Sequence, residues 1–214
     1  MFKKLILSLS FFTLVIADDY SLKFDGENDY VQTTISSGDL GGATSLTVDF
    51  TLKLNSGGNY QGIVGSLSSN NAQFGVIIQN DNSVQLRFYN SNGLWQESVF
   101  GTLGGLSTGE WYSIKVHVSQ DQVKWYLDGD HIETDDVSFQ ALIAGNANIP
   151  LVSIGRGNIT YGEHIDGNIS QIKISVDEEA TFIADWNFNE GSGQLLIDNS
   201  GNNNHGIIYG AEWS

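Results

Sequence analysis

The sequence predicts an all-β domain, a sandwich of two packed antiparallel sheets with about a dozen strands in total. The first observation behind this prediction is alternation: apolar and polar residues take turns along most of the chain, as in strands with one buried and one solvated face. The second is the recurrence of Asx-Gly and Ser-Gly pairs, which form tight turns. The third is size, since 214 residues with 40% hydrophobic content suit one domain with one core.

Four segments show the clearest alternation, and β-branched and aromatic residues fill their apolar positions, as strands prefer. These segments are residues 45–54, 84–88, 111–118 and 169–176. Tight turns are expected where residue pairs accept positive φ. These pairs are Asp25-Gly26, Asn92-Gly93, Asp128-Gly129, Asp166-Gly167 and Ser200-Gly201. One short helical turn is expected at residues 177–180.

Residues 1–17 have the features of a secretory signal peptide. Two lysines precede an apolar run at residues 5–16, and Ala17 supplies a small residue for the cleavage site. The run has about a dozen residues, whereas a membrane-spanning helix needs about 20. We therefore expect a secreted or cell-surface protein whose domain spans residues 18–214, with no membrane insertion after cleavage.

The charge of the chain excludes two classes of partner. The formal net charge is −16, with 25 acidic and 9 basic residues. Nucleic-acid binding rests on basic contacts to phosphate, and anionic membrane surfaces attract basic segments, so neither partner is expected. The chain has no cysteine, which excludes disulfides, thiolate catalysis and cysteine-ligated zinc. The acidic surface is expected to attract divalent cations.

Three stretches are similar to segments that recur together in one protein family. Residues 22–31 read LKFDGENDYV, and residues 109–129 hold a strand that begins with Trp and a YLDG hairpin. Residues 186–213 hold WNFNEGSG, then DNSGN and a late Trp. By their order and spacing, the chain is identified as a member of the concanavalin A-like lectin/glucanase superfamily, in its bacterial laminin-G-like form, which is similar to pentraxins.

The resemblance implies a jelly roll over nearly all of residues 20–214. It also places four aromatic residues in the core framework, namely Trp111, Tyr126, Trp186 and Trp213. In the family the EGSG segment often comes first, whereas here it closes the chain. Either the domain is circularly permuted, with adjacent termini, or its last strands complete the sheet of a neighbour. Ser170 stands where relatives often carry an acid that helps to hold structural calcium, which puts that calcium site in doubt.

Glycoside hydrolases share this fold, and their catalysis needs two carboxylates that flank the scissile bond. On a strand these carboxylates stand at alternate positions, because alternate residues share a face. In sandwich glucanases this gives a Glu-x-Asp-x-Glu motif or a close variant, and the sequence has no such motif: Glu163 and Asp166 lie beside a turn, and Asp135 and Asp136 are adjacent. We therefore expect a protein without enzymatic activity, and a glycoside hydrolase is the weakest alternative.

Two groups of residues are candidate calcium ligands, because hard cations prefer carboxylate, hydroxyl and carbonyl oxygens. In each group the ligands stand close together in a predicted loop. The first group is Asp198, Ser200, Asn202 and Asn204, and the second is Asp25 and Asp29. The alternative interpretation is that both groups form tight Asx turns with no metal.

Several aromatic residues fall outside the family framework and are candidates for carbohydrate binding, because sugars stack their C–H faces on exposed rings. Trp95 follows the Asn92-Gly93 turn and is expected near Tyr89 across a hairpin. The candidate site consists of Tyr60, Tyr89, Asn92, Trp95 and Tyr161. The alternative is ordinary cross-strand packing of the rings.

The sequence thus predicts a secreted module without enzymatic activity that binds a glycan or an extracellular protein, assisted by calcium, as lectins and adhesion domains do. A structural alternative stays open. In it the protein is a self-assembling surface subunit, a homo-oligomer or fibre joined through its C-terminal strands.

Overall fold

The structure, a computed structural model, describes residues 20–68, 72–90, 92–101, 104–143, 149–177 and 181–214. The predicted signal peptide and residues 178–180 of the predicted helical turn lie outside these ranges, so both stay predictions. Within the described ranges, no helix has the length and apolar character that crossing a membrane requires.

The described residues form two antiparallel sheets of eight strands each. Sheet A contains β1 (Leu22–Asp25), β3 (Ser45–Leu54), β8 (Trp111–Ser119), β9 (Gln122–Leu127), β10 (Asp130–Asp136), β12 (Asp166–Val176), β13 (Thr181–Trp186) and β16 (Glu212–Trp213). Sheet B contains β2 (Tyr30–Thr33), β4 (Gln61–Gly65), β5 (Phe74–Ile78), β6 (Val84–Tyr89), β7 (Trp95–Phe100), β11 (Ser153–Ile154), β14 (Leu195–Leu196) and β15 (Gly206–Tyr209). One short helix, α1 (Ser37–Leu40), follows β2.

The strand order places sequence-distant segments side by side. Sheet A runs β10-β9-β8-β3-β12-β1-β16, and β13 pairs with the second half of β12. Sheet B runs β14-β15-β2-β11-β4-β5-β6-β7. The predicted two-sheet jelly-roll sandwich is confirmed. The strand count exceeds the expected dozen because β11, β14 and β16 have two residues each, too few to show alternation in a sequence.

The central strands follow the predicted alternation. β3 occupies the predicted segment from Ser45 to Leu54 and pairs with β8 on one side and β12 on the other. Its Val48 and Phe50 are fully buried between the sheets, and the intervening Asp49 points to the outer face. A strand with one apolar face stays in this register, because a one-residue slip would expose that face.

One predicted turn is wrong. Asp166 and Gly167 begin β12 and lie opposite Asp25 and Phe24 of β1. Glycine stands there because the neighbouring strand approaches closely: a Cβ on Gly167 would lie 2.5 Å from the carbonyl oxygen of Lys53. Gly167 therefore allows two strands to pack closely and does not form a turn.

The hydrophobic core lies between the sheets, and a hydrogen-bonded tryptophan joins them. Trp125 of β9 stacks on Phe100 of β7, with ring centroids 5.3 Å apart and planes at 9°. Trp125 Nε1 donates a hydrogen bond of 2.8 Å to Ser98 Oγ, and the Ser98 hydroxyl donates to the Asp135 carboxylate. The polar atoms of this buried group are therefore satisfied, as burial requires.

The framework aromatic residues are only partly where the resemblance places them. Trp186 is fully buried, and Trp213 is half-buried against the core. Tyr126 is half-buried on the outer face, while its neighbour Trp125 takes the core position. Trp111 is 45% exposed, so its core assignment is wrong. Side chains alternate between the two faces of a strand. Because the neighbours Trp125 and Tyr112 face the core, Tyr126 and Trp111 face outward.

The two ends of the described chain pair with each other. In sheet A, β16 pairs with β1, and Leu22 lies opposite Trp213. Ser21 and Ser214 exchange backbone hydrogen bonds of 3.0 and 2.9 Å. In sheet B, β15 pairs with β2. The C-terminal strands thus complete both sheets within the chain, which is the first of the two arrangements that the sequence left open.

Candidate functional site

The β6–β7 hairpin presents an aromatic pair on the outer face of sheet B. Tyr89 and Trp95 are direct cross-strand partners, and their rings meet edge to face with centroids 4.9 Å apart. Buried Asn90 shapes the turn, because its Oδ1 accepts the backbone N–H of Asn92 (3.1 Å) and of Leu94 (3.0 Å). Trp95 remains 39% exposed, so cross-strand packing and an open ring face coexist.

Arg87 lies two residues before Tyr89 and points to the same face, because alternate residues of a strand share a side. Its guanidinium lies 5.5 Å from the centre of the Tyr60 ring, within range of a cation–π interaction. Arg87 Nε donates a hydrogen bond of 2.5 Å to Gln85 Oε1 on the same strand. These contacts hold the guanidinium beside the Tyr60 ring.

Tyr161 links two cavities on this face. The first, about 360 Å³, is lined among others by Leu67, Arg87, Tyr89, Trp95 and Tyr161. The second, about 550 Å³, is lined by Tyr60 and again by Tyr161, together with several polar residues. Tyr161 is 71% exposed. Four of the five predicted carbohydrate-binding residues therefore lie in these two adjoining cavities. Together with Arg87 they form what we call the aromatic surface: Tyr60, Arg87, Tyr89, Trp95 and Tyr161.

The fifth predicted residue, Asn92, lies outside both cavities. It belongs to the turn between β6 and β7, and its side-chain amide donates a hydrogen bond of 2.9 Å to Gln140 Oε1. The contribution of Asn92 is thus to the shape of the hairpin.

The loop that carries Tyr161 is held in place by Glu163. Glu163 Oε2 accepts the backbone N–H of Asn158 at 3.0 Å, and the Glu163 carbonyl accepts the N–H of Gly62 at 2.6 Å. Asn158 Oδ1 in turn accepts the N–H of Thr160 at 2.9 Å. A rigid loop presents the Tyr161 ring at low entropic cost.

The larger cavity is acidic. Asp25, Glu27, Glu163 and Asp166 all line it. A backbone N–H from Glu27 is the largest influence on the Asp25 carboxyl and holds its pKa below the ordinary value. This cavity therefore disfavours anionic ligands and suits hydroxyl groups that donate hydrogen bonds.

The first predicted calcium group forms a network of turns around Asp198. Its Oδ1 accepts the backbone N–H groups of Asp185 and Ser200, and its Oδ2 accepts the Ser200 hydroxyl and the N–H of Asn204, all at 2.8 to 2.9 Å. Burial alone would raise the pKa of Asp198, but these donors together lower it. With both oxygens occupied by donors, the group fits the Asx-turn alternative better than a cation site.

The second predicted calcium group is also a turn. Asp29 Oδ2 accepts the backbone N–H of Asp25 at 2.9 Å, and Asp25 Oδ1 accepts the N–H of Glu27 at 2.9 Å. Burial raises the pKa of the Asp29 carboxyl. Among the described residues, no three His, Asp or Glu side chains are grouped to hold a metal ion. Calcium assistance stays a prediction.

Two residues that could recognise a ligand are not among the site residues that the sequence predicts. Arg87 completes the aromatic surface, and its outward position follows from the alternation of Val84, Leu86 and Phe88, which face the core. Trp111 is exposed on sheet A. The alternation along β8 predicts this outward position, but the family resemblance implies a core position. In both cases the period of two carried the missing signal.

Comparison with known proteins supports the fold assignment. The family model described as the concanavalin A-like lectin/glucanase superfamily matches residues 25–178. No curated protein matches the sequence. A Bacteroides ovatus protein assigned as carbohydrate-binding superposes with a TM-score of 0.69 at 14% identity, covering 92% of this chain and 59% of that protein. The chain thus spans about three-fifths of that protein's length.

Two smaller proteins have similar folds over about three-quarters of this chain. The heptameric SAP-like pentraxin of Limulus polyphemus gives a TM-score of 0.55 at 19% identity, covering 75% of this chain and 77% of the pentraxin. The CBM40 module of a Ruminococcus gnavus sialidase, bound to α2,3-sialyllactose, gives 0.56 at 15% identity, covering 74% and 91%. The match of the family model over most of the chain shows that this protein belongs to the concanavalin A-like lectin/glucanase superfamily.

Proposed function

We propose that this protein is a secreted carbohydrate-binding module without enzymatic activity, and that its glycan site is the aromatic surface of sheet B. The observation that carries the proposal is the convergence of Tyr60, Tyr89, Trp95 and Tyr161 on two cavities that share Tyr161. Exposed aromatic rings stack on the C–H faces of sugars, and their polar edges accept or donate hydrogen bonds.

The polar residues around the rings can form hydrogen bonds with a sugar, and their charges favour a neutral one. Arg87 and Asn158 line the smaller cavity, where their donors can reach hydroxyl or ring oxygens. The carboxylates of the larger cavity are acceptors for sugar hydroxyls and repel acidic sugars. We therefore infer that the aromatic surface takes a neutral glycan.

The fold relatives support a binding role of this kind. The Bacteroides ovatus protein is assigned as carbohydrate-binding, and the Ruminococcus gnavus CBM40 module holds a sialylated trisaccharide. A shared fold does not fix a function, so the argument rests on the site. The role of Glu163 in tying the Tyr161 loop gives that carboxylate a structural task in place of a catalytic one.

The test is a binding screen of residues 18–214 against immobilised neutral polysaccharides and oligosaccharides, in calcium and again in chelator. We expect retention on one class of neutral glycan and no release of reducing sugar from it. Loss of binding in chelator supports the predicted role of calcium, and unchanged binding removes calcium from recognition.

Variants assign the result to the aromatic surface. Trp95→Ala is expected to abolish retention and Tyr161→Ala to weaken it roughly tenfold. Tyr209→Ala, which replaces an exposed tyrosine elsewhere on sheet B, is expected to keep retention unchanged. Failure to retain any neutral glycan, or equal retention by all three variants, overturns the proposal.

A further inference from the structure

The lysines of this acidic protein are gathered on one surface. All five lysines of the described residues stand on the outer face of sheet A, as the strand register shows: Lys23 and Lys53 both lie opposite Asn168, Lys115 and Lys173 both lie opposite Asp49, and Lys124 lies opposite His117. The chain has 25 acidic residues against 9 basic ones. The lysines therefore lie on the sheet opposite the aromatic surface, on a face that also carries Asp49, Asp185 and Glu212.

One of these lysines sits over an exposed tryptophan. Trp111 begins β8 directly opposite Lys53 of β3, and Lys53 Nζ lies 5.2 Å from the centre of the indole ring. Lys173, by contrast, forms an ion pair of 3.5 Å with Asp185. Within the described residues no carboxylate pairs with Lys53. The ammonium group of Lys53 is thus available to an anion that approaches the ring.

The tryptophan forms one side of a cavity of about 490 Å³, which is also lined by Tyr20, Thr51, Gln171, Asn187 and Asn189. The residues supply amide and hydroxyl groups, the kinds of side chain that bind sugar hydroxyls. In the described part of the chain, the side-chain amides of Gln171 and Asn189 have no hydrogen-bond partner. An apolar platform and unpaired amides therefore meet in one cavity, and the ammonium group of Lys53 lies beside it, over the ring of the tryptophan that lines it.

The walls of this cavity are fixed by the backbone. Tyr20 packs against Gly191, where a Cβ would lie 2.7 Å from Tyr20 Cζ and φ is 63°. On the opposite wall, the register of β12 shifts between Ile169 and Gln171, which marks a β-bulge. Bulges re-aim side chains and are frequent beside binding sites. The cavity is thus preformed.

We propose that this cavity, which we call the Trp111 cavity, is a second and independent saccharide site that takes an acidic sugar. A sugar ring stacks on Trp111, its hydroxyls bind the amides of Gln171 and Asn189, and its carboxylate or sulfate group meets Lys53. The proposal does not depend on the aromatic surface of sheet B, whose acidic cavity selects against such a ligand.

The test uses pairs of saccharides that differ only in charge. Oligogalacturonate is paired with its methyl ester, and a sulfated glycan disaccharide with its desulfated form. Binding to residues 18–214 is measured by calorimetry at low and high salt. We expect at least one acidic member to bind more tightly than its neutral counterpart, with the difference reduced at high salt, because exposed charges are screened.

Variants separate the two sites. Trp111→Ala is expected to weaken acidic binding roughly tenfold or more, as for an aromatic anchor. Lys53→Met is expected to weaken it up to about fivefold, the size of an exposed ion pair, and Lys53→Arg to restore it. Lys124→Met, on the same face, and Trp95→Ala, on the other sheet, serve as matched controls that keep acidic binding.

A measurement on the unaltered protein covers the case in which a variant does not fold. In a nitrogen–proton spectrum, the acidic saccharide is expected to shift the indole signal of Trp111 and leave that of Trp95 in place. The proposal is overturned if no acidic saccharide binds better than its neutral partner, or if binding shifts Trp95 instead. Neither result bears on neutral glycans at the aromatic surface.

Discussion

Tyr89 and Trp95 meet edge to face across the β6–β7 hairpin, with ring planes at 64° and centroids 4.9 Å apart. An arrangement of this kind contributes about 0.5–1.5 kcal/mol beyond the burial of the rings. It also fixes the indole ring while leaving it accessible. One contact therefore stabilises the hairpin and also holds the indole ring in an exposed orientation.

Because of this double role, Trp95→Ala is expected to lower stability by about 1 kcal/mol and to abolish binding to a neutral glycan. Trp95→Phe keeps a ring opposite Tyr89 and is expected to restore most of the stability and part of the affinity. Thermal unfolding and calorimetric titration measure the two effects. A loss of stability without a loss of affinity would assign Trp95 to packing alone.

A substitution at Tyr161 is expected to affect binding with little effect on stability, because the side chain is 71% exposed. Tyr161→Ala is expected to change the free energy of unfolding by less than about 0.5 kcal/mol, as for other surface substitutions. Its glycan affinity should fall roughly tenfold, as expected when an aromatic anchor is removed. Unchanged affinity in titrations of this variant would exclude the ring from the site.

The network around Asp198 predicts how a variant responds to calcium. Asp198→Asn replaces a carboxylate that accepts four hydrogen bonds, and is expected to cost about 1–3 kcal/mol. Because the acceptors are already engaged by the protein's own donors, the loss should be equal in calcium and in chelator. Melting curves in both buffers test this, and a loss confined to calcium would instead favour a metal site at Asp198.

The lowered pKa of Asp198 also predicts a dependence on pH. A carboxyl whose pKa is lowered by folding stabilises the protein above its unfolded pKa, and this stabilisation disappears as pH falls through the folded value. The stability difference between wild type and Asp198→Asn should thus be full at pH 7 and shrink below about pH 4.

Asp29 provides a matched control, because its pKa shift and therefore its pH dependence of stability have the opposite direction to those of Asp198. Burial raises the pKa of this carboxyl, so its contribution to stability is present at low pH and is lost as pH rises through the folded value. Relative to wild type, Asp29→Asn should therefore gain stability between acidic and neutral pH. Denaturant titrations across this range measure both variants, and parallel curves for the two would contradict the assignment.

The hydrogen bond between Trp125 and Ser98 crosses the two sheets and predicts coupled variants. Trp125→Phe and Ser98→Ala are each expected to cost about 1–3 kcal/mol: Ser98→Ala leaves the buried Trp125 Nε1 without its acceptor, and Trp125→Phe loses the hydrogen bond and part of the buried ring. The double variant should cost less than the sum of the two, as for residues in contact. Additive losses in a double-mutant cycle would show that the bond contributes little.

The pairing of β15 and β16 within the chain predicts a self-contained monomer. The melting temperature should be independent of protein concentration, and deletion of residues 206–214 should abolish cooperative unfolding because it exposes the edges of β1 and β2. Gel filtration and circular dichroism measure these outcomes. A melting temperature that rises with concentration would favour the self-assembling alternative.

Much of the fold was predictable because the signal is local. A period of two over ten residues fixes which side of β3 is buried, and a pair such as Asp128-Gly129 adopts the positive φ that its hairpin requires. The clustering of Tyr60, Tyr89, Trp95 and Tyr161 was only partly predictable. The sequence places Tyr89 beside Trp95, but it does not bring Tyr161 next to them, since that contact spans more than 60 residues of chain.

The two wrong predictions, for Gly167 and Trp111, have a common cause: both positions depend on packing that residue type alone does not reveal. The Asp166-Gly167 pair predicts a bend, but the small size of Gly167 instead allows the carbonyl of Lys53 to approach closely from another strand. The family resemblance predicts a core position for Trp111, whereas the alternation of its own strand places the side chain on the outer face. A template records which residue type recurs at a position, whereas exposure depends on what packs against that face.

The sequence by itself determined the all-β class, the inward and outward faces of the long strands, most of the tight turns and the family. These properties follow from the chemistry of neighbouring residues. The tertiary structure alone decided that the last strands close both sheets within the chain, that the Asp198 oxygens accept hydrogen bonds from the protein's own donors, and that the lysines share one face. Those features depend on which distant strands pair and in which register, and pairing is selected by burial of the whole core.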